Sequence, residues 1–284
     1  MSKIAIVTDS AADIPEEIAT GKPIFKIPLQ IIWDGVAFQD GVDINPIEFY
    51  DRLRSGKTLP TTSQPSPEKF NALYSQLLEK GYEILSVHIS SRLSGTINAA
   101  LQARNMLASA PIEVVDSLTA SIPLGMQALT AAEAALRGAS LLACKTLVEQ
   151  ARQRAGIFFV LDTLEYLRRG GRIGGAAAFL GTLLNIHPIL ETRNGIINAV
   201  DRARSLRKGL ERVIDLLEKR VEHAQSINLA VVHANTPVAA QAFLDQAVQR
   251  LHKLNIQYSF CTYVSPVLAT HTGPAGLGLA FLYE

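Results

Sequence analysis

Two hydroxyl-rich segments stand out by residue type: Thr61-Thr62-Ser63-Gln64-Pro65 and Ser90-Ser91-Arg92-Leu93-Ser94-Gly95-Thr96. Neither holds a carboxylate, and neither places a histidine beside its serines. Hydroxyls grouped with glycine and free backbone N–H groups cradle an anionic oxygen well. They make a poor nucleophilic centre, because a serine needs a base to activate it. The chemistry indicated is holding an acid rather than cutting a bond. Thr62 and Ser94 lead as ligands, since neither has an evident capping task, whereas Ser66 reads as the cap of a helix opening at Pro67. Thr61, Ser63, Gly95 and Thr96 flank them as secondary ligand candidates.

A second constellation is His271-Thr272-Gly273-Pro274. Glycine and proline fix the chain there, and the imidazole is able to donate to an anion or assist proton transfer. The rival role for a lone histidine is structural. Arg202-Ala203-Arg204-Ser205 precedes a helix, where arginine opposes the helix dipole. Arg202 or Arg204 therefore invites a specific anion, while Arg207 and Lys208 read as a solvated helix start. The stretch Leu167-Arg168-Arg169-Gly170-Gly171-Arg172-Ile173-Gly174-Gly175 lacks the Gly-Lys-Ser/Thr ending of a phosphate loop and reads as a tight helix junction. Asp9, Asp116 and Asp162 each follow a strand and read as turn caps. The remaining histidines show no ligand spacing, so no metal site and no cofactor is expected.

The elements that must position these residues alternate. Apolar runs at 4–7, 84–89 and 112–115 are each followed by a hydroxyl or acidic loop and a helical pattern. Such alternation predicts an α/β fold with a mainly parallel sheet covered by helices. On such sheets ligands bind beyond the carboxyl ends of the strands. Extended chain is expected over 24–32, and a helix capped by Asp13 begins near Pro15. Beyond residue 155 the pattern changes. A short helix closes at Gly170-Gly171, a second covers 176–184, and Asn194-Gly195 turns a hairpin. Long helices are expected at 206–223 and 237–254, with strands at 228–233 and 257–264. The division expected is an N-terminal domain over 1–155 and a smaller α+β domain over 156–284, with a ligand between them.

The 284 residues suffice for two domains, and 48% of them are hydrophobic, enough for a large core. A formal charge of +1, from 27 basic and 26 acidic side chains, argues against general nucleic-acid binding. The two cysteines, Cys144 and Cys261, are far apart in sequence, which suits a reducing cytoplasm. No apolar run approaches the ~20 residues of a membrane span. An apolar ligand must therefore be enclosed in the fold.

Taken together, these motifs closely resemble the DegV family of bacterial fatty-acid-binding proteins. The match runs through Thr8-Asp9-Ser10, the two hydroxyl segments, Val115-Asp116-Ser117, the stretch from Asp162 to Ile173, Arg202-Ala203-Arg204 and His271-Thr272-Gly273-Pro274. The resemblance implies two α/β domains enclosing a long-chain fatty acid. Hydroxyls at Thr62 and Ser94 would hold its carboxylate, with His271 nearby. It also implies a partner, the ATP-binding subunit of a fatty acid kinase. That subunit would phosphorylate the presented acid to an acyl phosphate for phospholipid synthesis, with Arg202, and Arg204 beside it, serving presentation. The chain itself would be no enzyme. A tail of about sixteen to eighteen carbons is costly in water, at ~0.8 kcal/mol per CH₂, so an apolar tunnel must take it. Phe179, Leu180, Leu183, Leu184 and Ile186 are expected as tunnel wall, with ordinary core packing as their rival role. The alternative function is a serine-dependent acyl hydrolase or acyltransferase using Ser94 and His271. No Gly-x-Ser-x-Gly elbow surrounds any serine.

Overall fold

The computed structural model describes residues 3–56, 58–179 and 186–284. The elements run β1 (Lys3–Asp9), α1 (Glu16–Ala19), β2 (Ile24–Ile27), β3 (Gln30–Trp33), β4 (Val36–Gln39), α2 (Pro46–Ser55), β5 (Thr61–Ser63) and α3 (Pro67–Glu79). Then come β6 (Tyr82–His88), α4 (Thr96–Met106), β7 (Ile112–Asp116), α5 (Ile122–Leu136), α6 (Leu141–Arg154), β8 (Ala155–Leu161) and α7 (Glu165–Arg169). The chain ends with β9 (His187–Arg193), β10 (Ile196–Ala203), α8 (Leu206–Arg220), β11 (Ser226–His233), α9 (Pro237–Arg250), β12 (Asn255–Tyr263), α10 (Pro266–Thr272) and β13 (Gly276–Tyr283).

The first sheet has the order β2-β1-β6-β7, and every pairing in it is parallel. A parallel strand is covered on both faces, which is why β1 is apolar almost throughout. Ile4 and Ile6 pack towards α5 and α6 with Leu124, Ala128, Cys144 and Val148. Ala5 and Val7 point the other way, towards Phe70, Tyr74 and Leu77 of α3 and the alanines of α4. A small antiparallel sheet, β4-β3-β5, seats Ile31 and Trp33 on Phe49, Tyr50 and Leu53 of α2.

The second sheet has the order β10-β9-β8-β13-β11-β12, with only β11 and β12 parallel. Its strands divide their side chains by the period of two. On β8, Phe158 and Val160 face α8 and α9, where Val213, Ile214, Leu217 and Phe243 receive them. Ile157, Phe159 and Leu161 face inward, in one cluster with Ile122 and Met126 of α5 and Ala151 of α6. That inward face turns towards the first sheet's layer and carries the site.

Several local expectations are corrected. The extended stretch 24–32 breaks at Pro28, which offers no N–H to a ladder. Its halves join two different sheets. Thr61–Ser63 is an edge strand paired with β3 rather than a loop. Asp13 does not cap α1, whose first residue follows Pro15 with no side-chain cap. It adopts a left-handed φ of 50° and turns its carboxylate inward. Of the helix expected over 176–184, the described part is a 3-10 segment at Gly174–Phe179, and 180–184 lie outside the described residues. His271 lies on a helix, α10, for which no element was expected. The C-terminal sheet, expected in the smaller unit, is the wider of the two.

Candidate functional site

A cavity of about 110 Å³ lies between the inward face of the second sheet and the loops of the first. Its walls are mainly aliphatic: Ile157, Phe159 and Leu161 of β8, Val232 of β11, and Val267 and Leu268 of α10. Its polar lining includes Thr62, Ser63, Gln64, Ser94, Arg172 and His271, from four separate stretches of chain.

Pairing with β3 turns Thr62 inward and leaves Thr61 exposed. Thr62 Oγ1 lies 2.8 Å from His271 Nε2. The imidazole's other nitrogen is buried without a partner, because it rests on Gly170. A Cβ at Gly170 would stand 2.1 Å from Nδ1, so the glycine is a requirement of His271's placement. Burial, with Arg172 adding to it, pushes the histidine's pKa down to about 4. His271 is therefore neutral at physiological pH and exchanges a hydrogen bond with Thr62 rather than a charge.

Arg172 is the one fully charged side chain among the described lining residues. Its Nε donates to the Leu93 carbonyl at 3.0 Å and its Nη1 to the Gly170 carbonyl at 2.6 Å. The guanidinium thus ties the turn after α7 to the serine loop and brings positive charge to the cavity. Sequence reasoning set this residue aside with its glycine-flanked stretch. The available signal was an arginine held between glycine pairs, where close backbone packing leaves a side chain little choice of direction.

The serine loop is positioned by β6 and clamped from outside. Ser90 Oγ donates to the Gly195 carbonyl at 2.9 Å, so the β9–β10 hairpin tip docks on it. Asn194 and Gly195 turn that tip with φ of 54° and 81°, as Asn-Gly predicts. Ser94 reaches the cavity, yet it does have a local task. Its Oγ accepts from Thr96 N at 3.3 Å and lies 2.8 Å from Thr96 Oγ1. Thr96 itself is fully buried and off the cavity, and Gly95 lies under the Gln64 side chain. Of the secondary candidates, Ser63 alone lines the cavity; Gln64 does so without having been anticipated. Ser66 caps α3 as expected.

Ser94 and His271 form no dyad: Nε2 of the histidine meets Thr62, and Nδ1 meets Gly170. A serine–histidine–aspartate chain does exist elsewhere, with Ser86 Oγ 2.6 Å from His88 Nε2 and His88 Nδ1 3.0 Å from Asp9 Oδ2. Tyr74 extends it at 2.6 Å from Ser86. All four are completely buried inside the first sheet's layer, where no substrate reaches them. Asp9 also accepts from Ala11 and Ile89 N–H groups, so it is a structural hub as well as the expected turn cap.

Arg202 and Arg204 are exposed at the end of β10 and do not line the cavity. Phe179 and Ile186 are half-buried and do not line it either; Leu180, Leu183 and Leu184 lie outside the described residues. The described apolar lining comes mainly from the sheet face and from α10. Among the described residues no three His, Cys, Asp or Glu side chains gather at metal spacing. No helix among them is long and apolar enough to cross a membrane.

Residues 3–284 match the model of a family described as uncharacterised proteins of the DegV family. A DegV domain-containing protein of Deinococcus radiodurans is 36% identical, covering 98% of this chain and 97% of its own. Among solved structures, a DegV family protein from Thermus thermophilus, described by its fatty acid binding, superposes with a TM-score of 0.91 at 34% identity. That match covers 99% of this chain and 100% of the other. DegV of Bacillus subtilis, described as a fatty acid binding protein, gives 0.88 at 32% identity with full coverage of both chains. A stearic acid-binding protein from Eubacterium ventriosum gives 0.91 at 26% identity, covering 100% of this chain and 98% of that one.

Proposed function

The chain belongs to the DegV family, and from that premise we propose that it is a carrier that encloses one long-chain fatty acid between two domains, 1–155 and 156–284. The observation that carries this reading is a mainly apolar cavity whose lining also holds hydroxyls, a neutral imidazole and one guanidinium. An acyl tail gains from leaving water in proportion to its length. A carboxylate brought into such a space requires donors. Thr62 and Ser94 supply hydroxyls, and Arg172 supplies charge. His271 acts through Thr62: an Nε2–H donating to Thr62 Oγ1 leaves the threonine's own proton free for the carboxylate. The bare Nδ1 lone pair then rests on Gly170, where an N–H would be worse placed.

The finer part of the reading is that the bound acid is presented to the ATP-binding subunit of a fatty acid kinase. The kinase forms the acyl phosphate, and this chain contributes no catalytic residue. Exposed Arg202 and Arg204 support this role, since they stand clear of the lipid and free for a partner's surface. Two unpaired cysteines fit a cytoplasmic setting. The test is native mass spectrometry of the purified protein, followed by denaturing extraction and lipid identification. The expected result is one fatty acid per chain, released on unfolding. A protein that stays empty when offered palmitate and stearate overturns the reading.

A further inference from the structure

The inward face of the second sheet is uneven in a specific place. β13 is its central strand there, flanked by β8 and β11. Its residues 276, 278 and 280 point into the molecule, while Leu277, Leu279 and Phe281 pack outward against α8 and α9. The pairing arranges three rungs. Gly276 lies beside Leu161, and its carbonyl receives the Ala234 N–H. Gly278 stands between Phe159 and Val232. Ala280 stands between Ile157 and Ala230.

The cavity is lined by the first two rungs and by Ile157 of the third, but not by Ala280 or Ala230. Two glycines between larger neighbours make a trough along the central strand. Its sides, the side chains of Val232, Ile157 and Phe159, close in over Gly278, so an acyl chain would run above them along this shallow trough. It begins beside Thr272 and Ala275, next to His271, and closes where Ala280 joins the buried cluster with Ile122 and Met126. Gly278 is the tight point. A Cβ there would stand 2.9 Å from Val232 Cγ2, 3.0 Å from Ile157 Cδ1 and 3.1 Å from Phe159 Cβ. A side chain at 278 would press on three of the cavity's own wall residues, crowding its lumen.

We infer that Gly278 sets how far an acyl tail enters, the tail lying along β13 with its methyl end towards Ala280. This rests on the fatty-acid reading above and adds the residue that selects chain length. Each methylene kept out of the trough weakens binding by about fourfold.

The experiment measures equilibrium binding of palmitate and decanoate to lipid-stripped full-length protein. Wild type is expected to prefer palmitate strongly. Gly278→Ala is expected to lose most of that preference through weaker palmitate binding, with decanoate held within about threefold. Adding Val232→Ala, which makes room for the new methyl group, is expected to restore palmitate. Ile157→Ala removes bulk, so it decides the matter if Gly278→Ala does not fold. It should bind a fatty acid ending in a phenyl ring more tightly than wild type does. An unchanged palmitate-to-decanoate ratio in folded Gly278→Ala, or no gain for the ring-tailed acid in Ile157→Ala, overturns the inference while leaving the carrier intact. Wild type that binds neither acid sinks the carrier reading, and the trough with it.

Discussion

At the scale of single residues the site is built from exclusions as much as from ligands. His271 is kept neutral by burial, and Gly170 is kept small by His271. Thr62→Val retains shape and removes the hydroxyl, leaving the imidazole without its partner. The expected outcome is palmitate affinity lower by about tenfold or more, since a hydrogen bond to a charged group contributes roughly 1.5–3 kcal/mol. Circular dichroism should be unchanged; equal affinity in Thr62→Val would remove the threonine from the carboxylate's ligands. Gly170→Ala places a methyl group on the imidazole nitrogen. It should lower the melting temperature by several degrees and weaken palmitate together, because the ring must leave Thr62. A variant with normal Tm and normal affinity would show that the ring's position is not constrained there. Much of this was legible: Thr62, Ser94 and His271 were named from hydroxyl grouping and turn chemistry. Arg172 was not, because in sequence it is one arginine among several, and only its direction distinguishes it.

At the scale of elements, the helix α10 carries His271 and two aliphatic wall residues, so whatever holds its start holds the site. Asp13 does this from the first sheet's side. It accepts from Ser265 N at 3.1 Å, at the head of α10, and from Ser121 Oγ at 2.6 Å, at the head of α5. Burial raises its pKa from 3.8 to about 7, and raises that of buried Asp40 nearby to about 6. The folded state therefore holds the proton more tightly than the unfolded chain. The stability these groups contribute is fully present below the unfolded value near 3.8. It falls away as pH rises through about 6–7. Asp13→Asn keeps an acceptor for the Ser265 N–H, lets Ser121 Oγ accept from the new amide instead of donating, and removes the titration. Its Tm should exceed wild type by a few degrees at alkaline pH, the gap closing as pH falls towards about 4. A gap independent of pH would mean that Asp13 does not titrate in the folded protein. The sequence read Asp13 as a helix cap because Asp-Ile-Pro-Glu has that grammar. What prevailed was a long-range demand, the unpaired N–H at the start of a helix some 250 residues later.

At the scale of the whole molecule, the cavity exists only because two sheets face one another. The contacts that close it cross between them: Ser90 to the hairpin tip, Arg172 to Leu93, Thr62 to His271. A ligand enclosed there should stabilise both halves together, raising Tm with the logarithm of its concentration. Arg202 lies outside this enclosure. Arg202→Ala should retain wild-type lipid content while slowing acyl-phosphate formation by a cognate kinase. Normal turnover would remove Arg202 from the presentation step.

The sequence by itself determined the alternation of strand, hydroxyl loop and helix, the hairpin at Asn194-Gly195, the cap at Ser66, and three polar residues, Thr62, Ser94 and His271, that meet at one cavity. These are local: a period, a turn or a cap is decided by residues a few positions apart. Only the tertiary structure decided that 24–32 divides between two sheets, that Asp13 serves α10, and that Arg172 faces the cavity. It also decided that much of the cavity's wall is a sheet face with glycine at its centre. Gly276-Leu277-Gly278-Leu279-Ala280 reads in sequence as a small-residue tail. It becomes a trough when β8 and β11 set larger side chains on either side of it. A void is defined by neighbours remote in the chain, and no local pattern encodes where those neighbours will stand.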